Sequence, residues 1–106
     1  MPIPEGEIPT LIALRDAYGI TVGEARVLAL LAQGGIVPLI RLRDVYCDKP
    51  ETDPLDARHC IKRIRKKTPH LRIITHYAIG YELDTDAIME VRSVISRGRK
   101  QYSEAA

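Results

Sequence analysis

Tryptophan and phenylalanine are absent, and five tyrosines make up the whole aromatic content of the 106 residues. No apolar run approaches the ~18 residues that a membrane-spanning helix needs, and no charged-then-apolar leader is present, so neither a span nor a signal peptide is expected. There are only two cysteines, Cys47 and Cys60, without Cys-x-x-Cys spacing. Reduced thiols in a cytoplasmic or nucleoid-associated protein are the expectation, not a redox or zinc centre. A Gly-rich phosphate loop, an H-E-x-x-H pair and a Ser, His and Asp set of nucleophilic spacing are all missing, which argues against an enzyme. Internal repeats and low-complexity segments are missing too.

What remains is the composition of an ordinary globular protein, 45% apolar and 28% charged, of a length suited to one hydrophobic core. The net charge of +2 is too small to imply a polyanionic partner. Its distribution says more. Six of the sixteen Lys and Arg residues (Arg58, Lys62, Arg63, Arg65, Lys66 and Lys67) fall within ten consecutive positions that hold no Asp or Glu.

Three of the seven prolines lie in residues 1–9, so an irregular lead-in is expected there. Leu11, Ile12, Leu14 and Tyr18 then recur at helical spacing up to Gly19. Thr21-Val-Gly-Glu24 has the form of a capping box and opens a helix from Val22 to about Gln33, with Gly34-Gly35 as its left-handed stop. Ile36-Val37 reads as a short extended bridge, and Pro38 suits the first turn of a helix carrying Leu39, Leu42, Val45 and Tyr46. After a polar loop from Cys47, Asp53 as N-cap and Pro54 at N1 start the next helix, which ends at Lys67 because Thr68 precedes Pro69. Leu71 to Thr75 and Ile79 to Leu83 read as two strands of a hairpin around His76-Tyr77-Ala78. Residues 84–100 form a final helix, and 101–106 a tail.

Spacing the helix Pro54 to Lys67 at about 100° per residue puts Ala57, Cys60, Ile61 and Ile64 on a core-facing side. Leu55, His59, Lys62, Arg63 and Lys66 fall opposite, with Arg58 and Arg65 along a flank. Such a face suits the major groove of a DNA duplex, cations meeting phosphates and guanidinium forks meeting guanine edges. A merely solvated basic face is the competing reading. The neighbours favour the first: helices, a basic helix and an immediately following hairpin are the ordered parts of a winged helix-turn-helix, an α+β fold. A zinc set of His59, Cys60, His70 and His76 is rejected, since His59 and Cys60 point to opposite sides of one helix. No cofactor is expected.

Ile20-Thr21-x-x-Glu24 followed by Val27-Leu28-x-Leu30-Leu31 looks like an L-T-x-x-E-x-x-L-L-x-x-L opening. Cys60-Ile61-Lys62-Arg63-Ile64-Arg65-Lys66-Lys67 looks like a V-x-I-x-x-L-R-K-K ending, and Ile74-Thr75-x-x-x-Ile79-Gly80-Tyr81-Glu82-Leu83 like an I-x-T-V-R-G-x-G-Y-x-L wing. Together, from Gly19 to Leu83 and over about 60% of the chain, they resemble the DNA-binding effector domain of OmpR/PhoB-type response regulators, CtrA-like members in particular. The resemblance implies residues 10–83 as a winged helix-turn-helix of three core helices and a hairpin wing, followed by an extra helix. It implies His59 and Arg63 at base edges, and Lys62, Arg65 and Lys66, with Arg58 and Lys67 beside them, on the DNA backbone. Thr75, His76 and Tyr77 form the wing.

Tyr77 replaces the arginine that the family often sends into the minor groove, and Ala78 stands where glycine is usual. The residues before Gly19 are too few for a receiver domain, so phosphorylation control within this chain is not expected. Dimerisation would then fall to the final helix through Ile88, Val91 and Ile95, unless that stripe packs on its own core. The expected function is a stand-alone transcriptional regulator that binds double-stranded DNA, with a homodimer as a candidate assembly and no membrane partner. The alternative is a winged-helix adaptor that binds RNA polymerase or another regulator without reading DNA sequence.

Overall fold

The computed structural model describes residues 8–46 and 54–105, with side chains described at 8–46 and 57–98. The lead-in 1–7, Cys47 and the Asp53 cap lie outside the described residues. In chain order the elements are α1 (Ile8–Tyr18), α2 (Val22–Leu31), β1 (Val37–Pro38), α3 (Leu39–Tyr46), α4 (Pro54–Lys67), β2 (Ile73–His76), β3 (Gly80–Leu83) and α5 (Thr85–Ala105). The described fold is therefore α+β, five helices with a small antiparallel sheet.

Several helix ends follow from local causes. Thr21 caps α2 with its backbone extended, and the capping box is complete: Glu24 N–H donates to Thr21 Oγ1 at 3.2 Å and Thr21 N–H to Glu24 Oε1 at 2.9 Å. Gly34 and Gly35, at φ +93° and +79°, carry the chain out of α2. At the end of α4, Thr68 N–H and Oγ1–H both donate to Ile64 O, at 2.8 and 2.7 Å, closing the helix before Pro69. Helix α1 begins at Ile8, two residues into the expected lead-in, because proline is tolerated in a first turn whose amides are unpaired. Helix α5 runs to Ala105, through most of the expected tail.

The sheet has a strand that the sequence reading did not anticipate as one. β1 pairs with β3, Val37 opposite Tyr81 and Pro38 opposite Gly80, so the strand order is β1-β3-β2. Pro38 ends this strand and does not start α3. Glycine at position 80 is what lets the strands meet: a Cβ there would lie 2.0 Å from the Val37 carbonyl oxygen. β2 and β3 form the hairpin with His76 opposite Gly80, and Ile79 N–H donates to His76 O at 3.0 Å across the turn.

The core is aliphatic. Leu14, Leu28, Leu31, Leu42, Ile61, Ile64 and Val91 are almost wholly buried, each burial contributing about 1.5–3 kcal/mol. Ala57, Cys60, Ile61 and Ile64 form the buried side of α4, as their spacing predicts. Helix α5 lies along α1. Among the described residues, no helix is long and apolar enough to cross a membrane.

Candidate functional site

Ten consecutive positions of α4 without an acidic residue meet one buried acid from α2. Glu24 has a fully buried side chain, and its capping-box geometry aims the carboxylate at the last two turns of α4. Lys67 Nζ donates to Oε1 at 2.8 Å and Arg63 Nε to Oε2 at 3.2 Å. Burial pushes the Glu24 carboxyl up, but its bonds to Lys67, the Thr21 amide and Arg63 outweigh that and hold it below the ordinary carboxylate range. The ionised acid is thus satisfied by two cations and an amide, the condition under which a buried charge is tolerable. The nearby Cys60 thiol is pushed up to about 12, first by burial and then by the Glu24 charge.

Arg63 has a second partner. Its Nη2 donates to the Tyr46 hydroxyl at 2.6 Å, and its guanidinium carbon sits 5.7 Å from the centre of the Tyr46 ring. The ring lies against Gly23, where a Cβ would come within 3.1 Å of Tyr46 Cε2. Gly23, next to Glu24 in the capping box, thereby makes room for the tyrosine that supports Arg63.

Arg65 ties α4 to the hairpin. Its Nη2 donates to Ile73 O at 2.7 Å and to Thr75 Oγ1 at 2.8 Å, and its guanidinium lies 5.7 Å from the Tyr81 ring centre. By contrast Arg58, His59, Lys62 and Lys66 are exposed, and none has a side-chain hydrogen bond or ion pair with a described residue. The predicted backbone-contact residues therefore divide in two. Arg58, Lys62 and Lys66 present unpaired cations, whereas Arg65 and Lys67 serve internal bonds.

On the hairpin, Thr75 is held by Arg65, and His76 Nε2 lies 2.9 Å from Glu82 Oε1. Tyr77 is 91% exposed at the tip, beside Ala78 at φ +63° and the exposed Ile79. His59 and Cys60 face opposite ways, His70 meets Glu90 at 3.0 Å, and His76 meets Glu82. These four do not converge, and among the described residues no group of three His, Cys, Asp or Glu is arranged to hold a metal.

The candidate dimer stripe on α5 sits partly against the chain's own core. Val91 is fully buried, and Ile88 and Ile95 are partly buried against the same core. Other α5 side chains reinforce this docking. Arg92 donates from Nε to Ala32 O at 2.8 Å and from Nη2 to Gln33 O at 3.1 Å, satisfying carbonyls at the end of α2. Glu90 accepts from Tyr18 Oη at 2.7 Å beside His70. Burial and Glu90 raise the Tyr18 phenol, while the bond from Tyr18 lowers the Glu90 carboxyl. An open groove of about 560 Å³ is lined from α1 and α5 alone, by Pro9, Ile12, Ala13 and Val94 among others.

Sequence reasoning missed the roles of Glu24 toward α4, of Tyr46 and of Arg92. The only signal for the first was an acid on a buried helix face opposite a run of bases. Comparison with models of protein families, with curated proteins and with solved structures finds no match.

Proposed function

We propose that this chain is a DNA-binding transcriptional regulator of winged helix-turn-helix type, similar to OmpR/PhoB-type effector domains, acting in the cytoplasm on the nucleoid. Helix α4 enters the major groove, and α2 and α3 support it from behind. Arg58, Lys62 and Lys66 meet phosphates, Arg63 and His59 approach base edges, and Thr75 to Tyr77 lie over the adjoining backbone. The observation that carries this reading is the face of α4, where Arg58, His59, Lys62 and Lys66 stand exposed and unpaired among the described residues. Three like-signed cations on one helical face repel one another, so an approaching polyanion relieves a standing cost.

A salt titration of duplex binding, followed by mobility shift, tests it. Log affinity should fall linearly with log salt, with a slope of about −0.9 for each phosphate neutralised. Lys62→Ala and Lys66→Ala should each weaken binding on all sequences and make that slope shallower by about 1. Absence of binding even at low salt would sink the proposal.

One observation favours a second reading, an adaptor that docks on RNA polymerase or another regulator. The hairpin tip exposes Tyr77 and Ile79, at 91% and 59%, where a DNA wing more often carries cations. On that reading Tyr77→Ser with Ile79→Ser abolishes capture of polymerase. On the first reading the same pair of changes affects duplex affinity only modestly.

A further inference from the structure

Arginine offers two flat edges for paired hydrogen bonds, one formed by Nε and Nη2 and the other by Nη1 and Nη2. In Arg63 the first edge is occupied: Nε is bound to the buried Glu24 carboxylate at 3.2 Å and Nη2 to the Tyr46 hydroxyl at 2.6 Å. The second edge keeps one Nη2 hydrogen and the whole of Nη1, which has no hydrogen-bond partner among the described residues. The side chain is 45% exposed, so it is anchored at its root and open at its end. That end carries two parallel N–H donors, the arrangement that matches O6 and N7 of guanine.

Resting on the DNA-binding reading above, we infer that Tyr46 and Glu24 are positioning residues that hold Arg63 by its side edge and present its end fork to a single guanine. A contrast with Arg65 makes this specific to Arg63. Arg65 is also bound to two acceptors, but through Nη2 alone and against the hairpin, as a structural tie. Lys62 and Lys66 are unconstrained and have no planar fork, so they contribute charge without selecting a base. Free arginines lose rotamer freedom on binding, whereas Arg63 has its geometry fixed beforehand by a carboxylate that cannot swing into water. Tyr46 is the better probe of the pair, because Glu24 also caps α2 and its loss would disturb folding.

The test selects duplexes from a random-sequence DNA pool with the wild-type protein, Tyr46→Phe, Arg63→Ala and Arg63→Lys, after matching circular dichroism spectra and urea midpoints. The wild type should recover a motif with a guanine at one position. Arg63→Ala and Arg63→Lys should lose that guanine and keep the rest. Tyr46→Phe keeps the ring but removes the hydroxyl, and should lower preference for the same guanine by about five- to tenfold, the effect of one hydrogen bond of ordinary strength. Added to Arg63→Ala it should change nothing further. The inference is overturned if Tyr46→Phe leaves that position untouched or weakens every position equally, or if Arg63→Ala erases no position. Recovery of no motif by the wild type is a different failure: it removes the DNA-binding reading and this inference with it.

Discussion

Glu24 carries three bonds on two oxygens with no access to water, and that makes it the residue through which acid should act. Its folded-state pKa lies below the ordinary 4.5, so the folded protein binds fewer protons there than the unfolded chain. The stabilisation is present above the unfolded value and is lost as pH falls through the folded one. Glu90 shifts in the same direction, but its side chain is 43% exposed and solvent screens it. Urea midpoints measured between neutral pH and about pH 3 should drop steeply below about 4.5. In Glu24→Gln the midpoint should start lower and fall less. Equal slopes in the two proteins would show that the acid does not govern this transition. A second single-residue expectation concerns Ala78, whose φ of +63° disfavours any side chain. Ala78→Gly should raise stability by up to ~1 kcal/mol in urea unfolding, since it removes the Cβ from a left-handed position.

Among the elements, those with strong periodicity were legible and those defined by long-range partners were not. The four buried residues of α4 and the boundaries of that helix follow from spacing, a first-turn proline and the proline after Thr68. The stripe on α5 was equally visible, but a stripe states that a face is apolar, not what covers it. Here α1 covers it. β1 was too short to show alternation, and its pairing with β3 depends on contacts more than forty residues apart in sequence. For Arg63 and Arg65 a helical wheel supplied direction without partners, so two side chains read as DNA contacts include one bound to the hairpin. The close approach of α1 and α5 explains a glycine inside α5: a Cβ on Gly98 would lie 2.2 Å from the Cβ of Ala13. Gly98→Ala should destabilise by about 1–2 kcal/mol, overpacking outweighing the gain in helix propensity. Adding Ala13→Gly should restore part of the loss, and additive effects in urea melts would argue against contact at this seam.

Across the whole molecule, charge is arranged by use and not by sign. The basic stretch of α4 is divided between cations bound to Glu24 or to the hairpin and cations left at the surface. A net charge of +2 conceals that division, which is why composition alone could not separate a solvated face from a binding face. The family resemblance proposed for the chain rests on three short motifs. Two of the motif positions, Glu24 and Arg63, turn out to touch each other across 39 residues of sequence.

The third strand changes how the hairpin should open. An isolated pair of strands is marginal in water and would expose its amides to exchange within small, frequent fluctuations. β1 clasps β3 through the Val37 and Gly80 contact while Arg65 holds β2, so the hairpin is tied to both α3 and α4. Native-state hydrogen exchange should therefore find the β3 amides opening together with those of α4, as one cooperative unit. A β3 that exchanges well ahead of α4 would mean that the clasp does not hold in solution.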